Sequence, residues 1–241
     1  MKLKFTKIKK AFEDFNIITS NDLFNFYKSI DPAVKKTTVN WRIYKLVQSG
    51  KIQRIGRGKY IIGKENKYIP DISSKEIKIS NLLKKEFPFI KYCLWSTAVL
   101  NEFTRHLSAF QFIVVEVEKD TLEPVYFMLK DNYNSTFKKP AREIVEDFIS
   151  NRPDSIIVNT FISEAPVQNI KEIPTSTLEK LLVDIYCDQN LLYFLKGNEL
   201  FNIYKNAFDK YTVNQSRLLR YADRRRKKKQ IEAFIKTIIR R

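Results

Sequence analysis

The chain has 241 residues, 44% of them apolar, enough to bury a core and to exclude a disordered polymer. Its formal net charge of +17 is unevenly placed: residues 1–64 carry 15 Lys/Arg against 4 Asp/Glu, 65–216 carry 18 against 21, and 217–241 carry 11 against 2. Two basic ends around a near-neutral middle point to a polyanionic partner, nucleic acid before an anionic membrane; an AT-rich coding bias explains many lysines but not their segregation.

In chain order, Phe5, Ile8, Phe12 and Phe15 recur at helical spacing and predict a first helix. Ser20 is the expected N-cap of a second, carrying Leu23, Phe26, Tyr27 and Ile30 until Asp31-Pro32 breaks it. A third helix is predicted from about residue 36 to 49, ended by Gly50 in the left-handed cap. Residues 51–62 read as two short strands around Gly56-Arg57-Gly58. Residues 63–72 lack periodicity and contain Pro70, which places a linker at 65–72. Ser73 and Glu76 form a capping box for a helix with Ile77, Leu82, Leu83 and Phe87. Strands are predicted at 92–95, 110–117 and 155–161, with helices at 96–106 and 120–130, although Val125-Tyr126-Phe127 also suits a strand. From Thr175 onward the pattern is helical nearly to the end.

The third predicted helix separates into two faces. Val39, Ile43, Leu46 and Val47 form a packing stripe, while Thr38, Trp41, Arg42 and Lys45 fall on another face that suits a major groove. Arg42 is the expected guanine contact, Asn40 borders the face and pairs with adenine, and Lys35 and Lys36 stand near the helix N-terminus, where free N–H groups favour phosphate. Trp41 is balanced between packing on the hairpin and lying at the DNA surface. Arg54, Arg57 and Lys59 project around the hairpin tip, where phosphate contacts set register. Three helices followed by a basic hairpin is the layout of a winged helix-turn-helix; the bland counterpart is a helical domain with a solvated basic face.

The second half offers no convincing catalytic set. His106 is the only histidine, at a predicted helix end where capping is the commoner role. Cys93 and Cys187 are expected as free thiols in apolar surroundings, in neither a disulfide framework nor a zinc site, and five glycines in all leave no phosphate loop. The enzyme reading worth carrying is a restriction-type nuclease using Glu116, Glu118 and Lys119 at a strand end, with spacing that departs from acid-x-Lys. Lys180 and Asp184 are spaced to pair along a helix beside Glu179. The run Arg224, Arg225, Arg226, Lys227, Lys228 and Lys229 supplies candidates for secondary phosphate contacts, with a solvated charge run as its base-rate reading. Ile231, Phe234, Ile235, Ile238 and Ile239 follow it at amphipathic spacing.

Residues 36–62 resemble the winged-helix start of AbiE-type (AbiEi-like) antitoxins, and three later phrases add to the resemblance: Ser163-Glu164-Ala165-Pro166, Pro174-Thr175 with Leu178-Glu179-Lys180-Leu181-Leu182-Val183-Asp184, and Leu218-Leu219-Arg220-Tyr221-Ala222-Asp223-Arg224-Arg225. The resemblance spans almost the whole chain, to an uncharacterised bacterial branch. It implies a type IV toxin–antitoxin repressor that binds inverted repeats in its own promoter and counters a nucleotidyltransferase-type toxin encoded beside it, without requiring a stable complex with that toxin. A functional surface around Glu164 rests on the resemblance alone.

The expected architecture is α+β: a winged helix-turn-helix at 1–64, a linker at 65–72, and a mixed α/β regulatory, antitoxin-like domain with a basic helical C-terminus at 73–241. The expected function is transcriptional repression without catalysis, cofactor or metal, with duplex DNA as partner and a homodimer on it. The alternatives are a nucleic-acid-processing enzyme targeted by its winged helix, or a non-catalytic interaction module. Charges interrupt every apolar run at the start, and no run approaches the ~20 residues of a membrane span, so no signal peptide or membrane partner is expected and the reading is cytoplasmic.

Overall fold

The computed structural model describes residues 3–15, 17–64, 66–104, 111–150 and 152–239. The chain is a mixed α and β protein. Its internal contacts divide it into two units, Met1–Tyr68 with Ala207–Arg220, and Ile69–Asn206 with Tyr221–Arg241. His106 lies outside the described residues.

The first unit opens with α1 (Phe5–Ala11), β1 (Ile18–Thr19), α2 (Ser20–Ile30) and α3 (Lys36–Gln48), followed by β2 (Ile52–Gly56) and β3 (Lys59–Ile62). Phe5, Ile8 and Phe12 of the first segment meet Leu23 and Tyr27 of α2 and Val39, Ile43 and Leu46 of α3 in one core. Thr19, and not the expected Ser20, caps α2: its hydroxyl accepts the Asp22 N–H at 3.1 Å while the Asp22 carboxylate accepts the Thr19 N–H at 2.8 Å. β1 escaped prediction because two residues show no periodicity. It pairs antiparallel with β3, so the hairpin becomes a sheet of order β1-β3-β2. Gly50 follows α3 at φ 69°, as its expected cap role requires. Gly63 is fixed by crowding, since a Cβ there would lie 2.0 Å from the Gly50 carbonyl oxygen.

Residues 207–220 belong with this unit, which corrects the expected continuous second domain. Sequence distance hid the reason: one threonine stitches the segment in. The Thr212 hydroxyl donates to the Gly50 carbonyl at 3.0 Å and accepts the Lys64 N–H at 2.8 Å, while the Thr212 N–H donates to the Asn66 carbonyl at 3.1 Å. Tyr211 packs edge-on against Tyr68, ring centroids 5.5 Å apart.

The second unit is built on a four-stranded sheet of β4 (Tyr92–Ser96), β5 (Phe112–Val117), β6 (Thr136–Lys138) and β7 (Ser155–Thr160), in the order β4-β5-β7-β6. β4 runs antiparallel to β5, whereas β5, β7 and β6 are parallel. α4 (Ser74–Glu86), with the expected Ser73–Glu76 capping box, and α5 (Leu122–Asn132) cover one face, where Ile79, Leu83, Val125 and Leu129 meet Leu94, Val115 and Val158. Val125, Tyr126 and Phe127 are therefore helical, because Leu122, Val125 and Leu129 share a buried stripe at helical spacing. The helix expected at 96–106 is a 3₁₀ segment, Thr97–Glu102, as far as it is described. α6 (Arg142–Ile144) runs into a π turn, Val145–Ile149, ahead of β7.

Thr175 and Ser176 start no helix. They close a hairpin of β8 (Val167–Ile170) and β9 (Ile173–Ser176). Its turn places Lys171 and Glu172 at φ 50° and 63°, a conformation that usually calls for Asn or Gly. α7 (Leu178–Cys187), α8 (Asn198–Lys210), α9 (Gln215–Arg224) and α10 (Lys228–Ile239) complete the chain. No described helix is long and apolar enough to cross a membrane.

Candidate functional site

The outer surface of α3 is where the first unit offers chemistry. Val39, Ile43 and Leu46 turn inward, as their spacing requires. The residues turned outward include Lys36, Asn40, Trp41, Tyr44 and Lys45, with Tyr44 57% and Trp41 45% exposed. The open face is thus centred closer to Tyr44 than the spacing of Thr38, Trp41, Arg42 and Lys45 had it. Tyr44 was missed because an aromatic side chain reads as core until the helix is rotated into its packing position. Lys45 Nζ stands 5.5 Å from the Trp41 ring centre, so the exposed indole carries a cation against its face.

Arg42 lies on the flank of this face. Its guanidinium sits 4.7 Å from the centre of the Tyr27 ring on α2, and its Nε is shut away from solvent with no hydrogen-bond partner among the described residues. Burial pushes the Tyr27 hydroxyl above the ordinary phenol range, with Arg42 acting against the shift. Thr38 is half-buried on the same flank, and Lys35 is the exposed N-cap residue of α3. On the hairpin Arg57 and Lys59 are exposed, whereas Arg54 is half-buried and donates from Nε to the Gly56 carbonyl at 3.2 Å.

The other edge of α3 borders a groove of about 480 Å³. Its lining brings Asn40, Tyr44 and Gln48 of α3 together with Arg54 of β2 and with Arg217 and Arg220 of α9. No sequence cue linked Arg217 and Arg220 to α3, because the two segments are about 170 positions apart.

In the second unit the acids singled out from sequence meet in a buried charge cluster. Strand alternation turns Cys93, Trp95, Val114 and Glu116 to the sheet face opposite α4 and α5. Lys180 Nζ of α7 lies 2.5 Å from Glu116 Oε2 and 2.6 Å from Asp184 Oδ2, the latter the pairing expected along the helix. Asp184 Oδ1 accepts from the Tyr221 hydroxyl at 2.8 Å and from Arg225 Nη1. Burial pulls the Lys180 ammonium downward, but Asp184 and Glu116 prevail and hold it well above the usual amine range. Burial raises the Glu116 carboxyl, and Lys180 offsets part of that rise. Glu118 and Lys119, the other residues of the nuclease reading, are exposed beyond the strand end and do not join Glu116 in this cluster. Cys93 is buried 3.7 Å from the Ser176 hydroxyl and Cys187 is half-buried; both are free thiols, and Cys93 stands beside the charge cluster where apolar surroundings were expected.

The basic run 224–229 is divided by structure. Arg225 is committed to Asp184, and Arg224 donates from Nε to the Ser163 hydroxyl at 2.9 Å. Arg226, at φ 56°, turns the chain between α9 and α10, leaving Arg226, Lys228 and Lys229 exposed and Lys227 half-buried. Glu164 is exposed at φ 63° and Glu179 is buried.

Residues 38–241 match a family described as "Family of unknown function (DUF6577)". The chain belongs to that family. The match takes in α3 from Thr38 onward, the hairpin and the whole second unit, so the groove arginines and the buried charge cluster both fall within the family's span. None of the curated proteins matches the chain.

Proposed function

We propose that this DUF6577 member is a DNA-binding transcriptional repressor whose first unit is a winged helix-turn-helix. The observation that carries the reading is the outward face of α3, with Lys36, Asn40, Trp41, Tyr44 and Lys45 beside a hairpin that exposes Arg57 and Lys59. Three helices closed by a three-stranded sheet support it, and so does the basic charge of residues 1–64. In this reading α3 enters the major groove, and the hairpin as wing fixes register on phosphates. Tyr44 and Trp41 supply apolar contact to base edges, Asn40 pairs with adenine, and Arg42 contributes from the flank. Autoregulation of a toxin–antitoxin operon, and neutralisation of a neighbouring nucleotidyltransferase-type toxin without a stable complex, rest on the AbiE-type resemblance.

Retention of duplex DNA by the full chain across 50–200 mM salt, about the range over which phosphate-dominated binding falls steeply, tests the reading. Steep weakening with salt is expected, with Arg57→Ala weakening all sequences alike and Asn40→Ala relaxing base preference at one position by about 1–3 kcal/mol. Salt-independent retention, or none, would remove DNA as the partner.

A further inference from the structure

The groove between α3 and α9 is a second basic surface on the first unit, beside the outward face of α3. Its wall carries three cations, Arg54, Arg217 and Arg220, and no carboxylate among the described lining residues. Its neutral polar residues include Asn40, Gln48 and Ser216, which donate hydrogen bonds. A concave strip with cations and neutral donors, and without acids, suits a chain of phosphodiesters. One wall is the edge of α3 itself, so whatever lies in the groove runs alongside the outward face of that helix.

The strip is also held in place. α9 stands where it does because Thr212 is bonded to Gly50, Lys64 and Asn66. Asn214 Oδ1 then accepts the Arg217 N–H at 3.1 Å at the start of the helix. Arg220 is exposed one turn further on. Arg217 and Arg220 are therefore presented from a helix that is fixed to the α3 unit before any ligand arrives, and Arg54 from the hairpin beside it.

We infer that residues 207–220 complete the nucleic-acid surface: the DNA strand flanking α3 lies in this groove, with its phosphates met by Arg217, Arg220 and Arg54. This deepens the repressor reading and rests on it. It also assigns the C-terminal phosphate contacts to Arg217 and Arg220, upstream of the run 224–229.

The experiment compares full-length protein with Arg220→Ala, Arg217→Ala/Arg220→Ala, Arg57→Ala and, as a charge-matched control in the second unit, Arg142→Ala. Each is titrated with a random duplex and a preferred duplex over a series of salt concentrations. Each groove arginine removed should lower the log–log salt slope by about 0.9 and weaken both duplexes alike, whereas Arg142→Ala should bind as the unaltered chain does. Arg220→Lys should restore the slope, which separates a phosphate contact from a structural one. Arg220 is exposed, so its single variant carries the test should the double variant melt early. An unchanged slope in Arg220→Ala, beside a lowered one in Arg57→Ala, would overturn the groove and leave the repressor reading standing. Tighter binding by the double variant would overturn it in favour of α9 shielding α3. Absence of salt-dependent retention by the unaltered chain would remove the repressor reading itself, and the groove with it.

Discussion

At Lys180 an ammonium group with no exposed surface lies between two carboxylates, and those carboxylates keep it charged. A buried pair of this kind contributes little over a well-packed apolar substitute, but breaking it strands a charge. Lys180→Met should therefore destabilise the second unit by about 3–5 kcal/mol, read as a lowered urea midpoint, because Glu116 and Asp184 lose their shared partner. Adding Glu116→Gln should recover part of that loss; no recovery would mean that packing, and not charge, is what Lys180 supplies. Gly63 is a different kind of constraint, since any Cβ meets the Gly50 backbone. Gly63→Ala should lower the melting temperature of the first unit, and an unshifted melt would show that the backbone gives way at no cost. Neither residue declared its role in sequence: Lys180 was legible as half of a helical pair, but its second partner Glu116 is 64 positions away.

At the scale of elements, α2, α3 and α4 were legible because each has an amphipathic stripe and a clear stop or cap, as at Gly50 or the Ser73–Glu76 box. The β8–β9 hairpin was not, because Lys171 and Glu172 adopt left-handed turn geometry without the Asn or Gly that advertises it. β1 and β6 are two and three residues long and exist only through pairing with β3 and β7. The segment 207–220 is the element with the largest consequence. A chain of residues 1–68 lacks the Thr212 bonds and the Tyr211 ring contact. It should unfold at lower urea than the same residues joined by a Gly/Ser linker to 207–220. Equal midpoints for the two chains would show that the returning segment rests on the first unit without stabilising it.

Across the whole molecule, burial acts in one direction on the buried thiol and phenols, with Lys196, which burial lowers, a single group set against them. It raises the Cys93 thiol above its ordinary 9.0 and the hydroxyls of Tyr27, Tyr92, Tyr204 and Tyr221 above 10.0, while Lys180 is held above 10.5. All six groups keep their protons in the folded state at a pH where the unfolded chain has lost them. The folded state then binds more protons, so stability falls as pH rises. The melting temperature should hold near neutral pH and drop progressively from about pH 9 to 11, the window in which unfolded thiols, phenols and amines ionise. A flat melting profile across that window would mean that these groups ionise in the folded protein as readily as in the unfolded one.

By itself the sequence determined the local features: the uneven charge, the capped helices, the inward stripe of α3, the basic hairpin, and the Lys180–Asp184 spacing. Each depends on neighbours within a turn or two, so periodicity and propensity suffice to read it. Only the tertiary structure decided the rest. Rotation of α3 into its core turned Tyr44 outward and set Arg42 against Tyr27. The sheet face opposite α4 and α5 brought Glu116 to Lys180. The return of the chain through Thr212 set Arg217 and Arg220 across from Asn40 and Tyr44. These contacts join residues tens to hundreds of positions apart, and no local pattern records a contact that forms only when distant segments fold onto one core.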